Sequence, residues 1–168
     1  MNTLFIKRLI TSFFILFLLI VLFNQTILAE DTFSLPNQSA NPGSFVYKFK
    51  RGWEKLEEKF QFSNDSKISF YDKLTLKRLS ELKYVSDHDL LSEFQTSSER
   101  FSYQAGVLSE YLNGISASKE NKEKVIEEFS KYSDILASIR DKHSFRSSYW
   151  LYIQQNMDSL KELSLKLK

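Results

Sequence analysis

The chain has 168 residues, with 23 Lys+Arg against 21 Asp+Glu, 42% hydrophobic and 15% aromatic content, and no cysteine. Lys7 and Arg8 account for the formal charge of +2, so the remaining chain is balanced with interspersed signs, which argues against a nucleic-acid binder and its basic stripe. Without cysteine there is no disulfide framework, no thiolate metal site and no acceptor for lipid attachment behind a signal peptide.

Residues 1–29 read as a signal peptide or signal anchor. Lys7 and Arg8 precede an apolar run that begins at Leu9, ends at Phe23 and is broken only by Thr11 and Ser12. At roughly 1.5 Å per residue this run covers about 22 Å, shorter than the roughly 20 residues a crossing helix needs, which favours cleavage, with Ala29 as its last residue. Retained instead, the run would anchor the chain. In either case Lys7 and Arg8 hold the start of the chain in the cytoplasm and send the remainder outside. Residues 30–41 contain Pro36, Asn37, Gln38, Ser39 and Asn41 without periodicity and read as a linker.

From residue 42 to residue 168 the chain reads as one all-α domain, an up-and-down bundle of four to five helices, because only four glycines and two prolines punctuate the whole sequence. Helix one starts near residues 41–44, capped by Asn41 with Pro42 or by Ser44, and runs to about Gln61. Phe45, Phe49, Trp53, Leu56 and Phe60 lie on one face of it, the pattern of a core stripe. Helix two, capped by Asp65 or Ser66, buries Ile68, Tyr71, Leu74, Leu79 and Leu82 and reaches about Tyr84.

The stretch Pro42-Gly43-Ser44-Phe45-Val46-Tyr47-Lys48-Phe49-Lys50-Arg51-Gly52-Trp53-Glu54, followed by Arg78-Leu79-Ser80-Glu81, is similar to a bacterial family known as domain of unknown function 5667. Pro42, Ser44, Tyr47, Lys50, Arg51 and Glu54 stand at its first motif and Arg78, Leu79 and Glu81 at its second; Lys48 replaces a frequent proline. The resemblance carries no activity with it. If helices one and two pack antiparallel about the turn near Asn64, Tyr47 and Arg51 face Glu81 while Arg78 turns to Glu54. This predicts a partly exposed charge network of structural use. The rival reading is an anion site built from Lys50, Arg51 and Arg78.

Helix three has the cleanest seam, Leu91, Phe94, Ser98, Phe101, Ala105, Leu108 and Leu112, ending at Asn113-Gly114, and Gly106 suggests close approach by a neighbour. Helix four begins near Ser118 with Val125, Phe129, Tyr132, Leu136 and Ile139. The same phase runs on through His143 and Arg146 to Trp150, Ile153, Met157, Leu160, Ser164 and Leu167. Because two polar seam positions interrupt it, a turn at residues 141–144, with Ser144 capping a fifth helix, is preferred to one continuous helix. Tyr149 and Tyr152 flank the seam and are expected to be exposed, and Leu160, Leu163 and Leu167 make a bundle stripe.

Asp87-His88-Asp89 and Asp141-Lys142-His143 hold the two histidines, and His88, Asp89 and His143 are the metal-ligand candidates. Capping and solvated charge are the preferred explanation, because two ligand pairs without a close-spaced motif make a weak metal signal. Adjacent carboxylates such as Glu57-Glu58 and Glu127-Glu128 read as solvated helix faces, and the chain has no phosphate loop, nucleophile elbow or His-Glu-x-x-His helix. No catalytic residue and no cofactor are predicted. The expectation is a non-catalytic, extracytoplasmic helical interaction module with a protein or envelope partner, tethered through residues 9–23 if these are retained. The alternative is an envelope metal- or stress-sensing protein that uses His88 and His143.

Overall fold

A computed structural model describes residues 35–37 and 40–168 of the chain, so the expected export segment, its cleavage point at Ala29 and most of the linker lie outside the described residues. Among the described residues there are five helices and no strand: α1 (Phe45–Lys59), α2 (Asn64–Asp87), α3 (Leu91–Gly114), α4 (Lys119–Arg140) and α5 (Ser148–Leu167). The all-α bundle expected from the sequence is therefore the fold.

Local chemistry sets most of the boundaries. Pro42 and Gly43 turn the chain into α1, with Gly43 at φ 88°, a left-handed conformation that glycine adopts without a Cβ penalty. Ser44 occupies the position before α1, but its hydroxyl turns back to the carbonyl of Asn41 at 2.8 Å and caps no helical N–H. Ser63, rather than Asp65 or Ser66, caps α2: its Oγ accepts from the Ser66 N–H at 3.1 Å while the Ser66 hydroxyl accepts from the Ser63 N–H at 3.2 Å. This reciprocal box satisfies two amides that a helix start leaves open. Ser118 and Ser147 cap α4 and α5, accepting from Asn121 and Trp150.

Consecutive helices reverse direction, and side-chain pairs define their neighbours. Tyr111 of α3 meets Asn64 and Tyr71 at the start of α2, as an antiparallel hairpin requires. Ser98, Ser102 and Asn113 of α3 meet Tyr152, Asn156 and Lys166 of α5 in ascending order, so these two helices run parallel side by side. Tyr132 with Asp72 and His143 with Ser86 set α4 parallel to α2. The α3–α4 link thus crosses the bundle, and α3 packs closely on α2 and α5.

The core contains Leu74, Leu79, Leu82 and Val85 of α2, Phe94, Phe101, Ala105, Leu108 and Leu112 of α3, the expected five residues of α4, and Ile153, Leu160 and Leu167 of α5. Leu91, the first residue of the expected α3 seam, is exposed because it opens the helix beyond the packed region. A Cβ built on Gly106 would meet nothing within 4 Å, so close approach is not why glycine stands there. Tyr149 and Tyr152 are half-buried against the core, Tyr149 edge-on to Phe94 with centroids 5.0 Å apart, rather than exposed. Leu35 packs against the core and Ala40 is buried, so the described residues before 42 already line the bundle.

The reversal after α4 occupies residues 141–147, longer than the expected 141–144, and Ser147 takes the capping role assigned to Ser144. Arg146 at φ 62° helps the chain double back without glycine or proline.

The largest departure concerns α1. Its apolar stripe, expected to face the core, points outward: Phe49 is 67% and Trp53 68% exposed, and Phe45, Leu56 and Phe60 are exposed with them. The buried residues of α1 are Tyr47 and Glu54.

Candidate functional site

Tyr47, Lys50 and Glu54 recur every three and four residues along α1, so they share the face opposite the aromatic stripe. Arg78 and Glu81, three apart on α2, share a face as well. With the helices antiparallel, these faces meet. Arg78 Nη1 donates to both oxygens of Glu81 at 2.7 and 2.8 Å, and its Nη2 donates to Glu54 Oε2. Glu81 also accepts from the Tyr47 hydroxyl at 2.7 Å and from Lys50 Nζ at 2.8 Å, while Lys50 bonds the carbonyl of Ala40 at 3.0 Å. Arg100 of α3 donates to the Tyr47 oxygen at 3.4 Å and lies over its ring. Lys77 and Arg51 approach Glu54 at 3.4 and 3.6 Å. Farther along, Tyr71 donates to Glu58 at 2.7 Å.

The motif residues are thus brought together, with two differences from expectation. Lys50, not Arg51, reaches Glu81, because Arg51 lies towards the outside of the face and meets only the carboxylate of its own helix. The cluster is also buried rather than partly exposed: Arg78 is 1% accessible. Leu79, between the two charged residues, turns the other way into the core.

Two carboxylates and two cations, Glu54 and Glu81 with Arg78 and Lys50, neutralise one another at the centre. Burial alone would raise the pKa of Glu81, but the charge of Arg78 and hydrogen bonds from Lys50 and Tyr47 bring it below its ordinary value. Burial likewise works against the Arg78 guanidinium, and Glu81 and Glu54 more than offset it. Tyr47 is driven far up by burial and by the neighbouring Glu81 charge, which keeps its hydroxyl a donor. Both terminal nitrogens of Arg78 are taken by carboxylates, so it offers no edge to a soluble anion; this geometry favours the structural reading over the anion site.

The network leaves the opposite face of α1 free of the bundle. Phe45 and Phe49 contact edge-on at 5.4 Å, and Trp53, Leu56 and Phe60 continue the line, with Phe62 edge-on to Phe60 at 6.4 Å. Exposed Lys48, Lys55 and Lys59 lie along one margin of it.

The metal candidates are engaged separately. His88 stacks on Tyr84 at 3.9 Å and bonds that residue's carbonyl through Nδ1 at 2.9 Å. His143 lies 3.3 Å from the Ser86 hydroxyl through Nε2 and edge-on to Phe94 at 5.2 Å; burial lowers its pKa, with Asp89 opposing. Asp87 pairs with Lys83 and Lys142. The two turns do share one end of the bundle, yet no group of three or more His, Asp or Glu with metal-holding geometry occurs among the described residues. The helix pairing creates another titratable site that the sequence conceals. Glu128, one of the supposedly solvated pair, is half-buried on the side facing Asp72 of α2; burial first, then Asp72, push its pKa up to about 8. Tyr132 donates to Asp72 at 3.3 Å. Only the parallel placement of α2 and α4 makes these residues neighbours.

Residues 39–143 match a family described as Domain of unknown function (DUF5667). The chain belongs to this family. The matched region runs from just before α1 through α4 and so contains the whole ionic cluster, whereas α5 lies beyond it. No curated protein and no solved structure matches the chain. Among the described residues no helix of this DUF5667 protein is long and apolar enough to cross a membrane, and residues 9–23 fall outside them.

Two measurements check this electrostatic account. Arg78→Met leaves Glu54 and Glu81 buried without their shared partner and is expected to cost about 3 to 5 kcal/mol in urea unfolding; a loss under about 1 kcal/mol would refute burial of the cluster. For Glu128 the unfolded carboxyl titrates near 4.5 and the folded one at about 8. Between these values the unfolded chain binds fewer protons, so this group subtracts stability as pH rises and its effect levels off above about 8. Glu128→Gln should therefore gain stability relative to the parent protein on moving from about pH 5 to about pH 9, and a constant difference between the two would contradict the shift.

Proposed function

We propose that this protein is a non-catalytic module of the bacterial envelope, exported through its N-terminal segment and acting by presenting the aromatic face of α1 to a partner. One observation carries the reading. A helix with Phe45, Phe49, Trp53, Leu56 and Phe60 along one side is held to the bundle by its other side, through a buried ionic lock. Exposing a row of large apolar residues works against solubility unless something covers it, and such patches mark interaction surfaces.

The charge of Lys7 and Arg8 before the apolar run at residues 9–23 supports an extracytoplasmic location. An interaction role also agrees with the chemistry at the family motif, where each ionisable group is consumed in pairing with another. Nothing comparable favours the metal-sensing alternative, since His88 and His143 are each turned to partners of their own helix or its neighbour.

Protease added to intact spheroplasts tests the location, with Edman sequencing of the chain to find its start. Digestion of residues 42–168 from outside is expected, with either Met1 retained in the membrane fraction or a new start at Glu30. A full-length chain resistant to external protease and recovered with the cytoplasm would overturn the proposal.

A further inference from the structure

The exposed face of α1 combines three features. Its apolar row is aromatic-rich and includes a tryptophan, both ends of α1 carry phenylalanine, and one margin bears only cationic side chains. Lys48, Lys55 and Lys59 fall within about 40° of arc on a helix that turns about 100° per residue, with Gly52 beside them adding no side chain to that margin. Aromatic and leucine side chains flanked by lysines are the composition of a helix that lies in the boundary between lipid acyl chains and headgroups.

The position of this face in the chain selects the occupant. The apolar run ends at Phe23 and α1 begins at Phe45. At no more than about 3.5 Å per residue, the stretch from Phe23 to Leu35, which packs on the bundle, reaches at most about 40 Å, so a chain anchored by residues 9–23 keeps α1 within reach of the same bilayer. A second copy fits less well. It would bring three more lysines to that margin instead of the acidic groups that complement them.

We infer that α1 docks onto an anionic membrane surface, its aromatic row inserted at the headgroup level and Lys48, Lys55 and Lys59 paired with lipid phosphates, so that the bundle lies against the bilayer that anchors it. The inference deepens the proposed function and depends on the anchored form of it. The ionic lock gives it a mechanical basis: an interfacial helix normally turns its polar face to water, whereas here Tyr47, Lys50 and Glu54 fix that face to α2. Membrane contact would therefore orient the whole bundle rather than a loose helix.

The chain has two tryptophans, Trp53 and Trp150, so Trp150→Phe leaves Trp53 as the single reporter. The full-length Trp150→Phe protein is reconstituted in vesicles of equal parts phosphatidylcholine and phosphatidylglycerol. Its emission is then quenched either with acyl-brominated lipid or with aqueous iodide. Docking is expected to let brominated lipid remove about half of the Trp53 emission while iodide has little effect, and Lys48→Gln, Lys55→Gln and Lys59→Gln together should reverse that preference. Vesicles of phosphatidylcholine alone should weaken it as well. If the protein floats with the vesicles but Trp53 stays open to iodide, docking is refuted and anchoring stands. If Trp53 is shielded from both quenchers, a protein partner or a second copy covers the face and docking is refuted. If the protein does not float, the anchored reading fails and docking fails with it.

Discussion

Arg78 sits between Glu54 and Glu81 with almost no access to water, and the placement of α1 depends on that contact. Removing such charges from water costs several kcal/mol per ion, which mutual attraction offsets only when geometry and further hydrogen bonds are favourable. Here the forked guanidinium spans two helices, Lys50 supplies the second positive charge, and Tyr47 and Arg100 extend the bonding to α3. Directional bonds of this kind fix a register more strictly than apolar packing does. The consequence is a helix whose charged face is inside and whose aromatic face is outside.

That inversion marks the limit of what could be read from the sequence. The spacing of Phe45, Phe49, Trp53, Leu56 and Phe60 identifies one face of a helix correctly, but periodicity shows that residues share a face and not that the face finds a core. The opposing signal was present in Tyr47, Lys50 and Glu54, which share the other face and have charge partners in Arg78 and Glu81. Helices α3 and α4 were legible because their apolar seams had no such competitor, and all five expected residues of α4 are buried. The start of α5 was displaced because Ser144 and Ser147 offer the same capping chemistry three residues apart, and only the positive φ of Arg146 shows where the chain doubles back. Asp72 and Glu128 could not be paired in advance, since their meeting depends on the crossing link between α3 and α4.

The structure separates two tasks. Helices α2–α5 supply an apolar core, interrupted by a small polar contact in which Asn156 of α5 bonds Ser98 and Ser102 of α3 at 2.9 and 2.5 Å. Helix α1 adds little to that core and is tied on through long side chains, without the close backbone approach seen between α2 and α3. The family match spans α1 with α2, α3 and α4, so the motif residues and three of the four helices that build the core fall within it. A platform fixed by ions can present apolar residues without collapsing onto them.

The most direct test of this arrangement replaces the outward residues and measures folding. Phe49→Gln with Trp53→Gln, unfolded in urea and followed by far-ultraviolet circular dichroism, should change stability by no more than about 0.5 kcal/mol, because neither side chain gives up buried contacts. A loss of about 3 kcal/mol or more is what removing two large apolar residues from a core produces, and it would contradict an outward-facing α1.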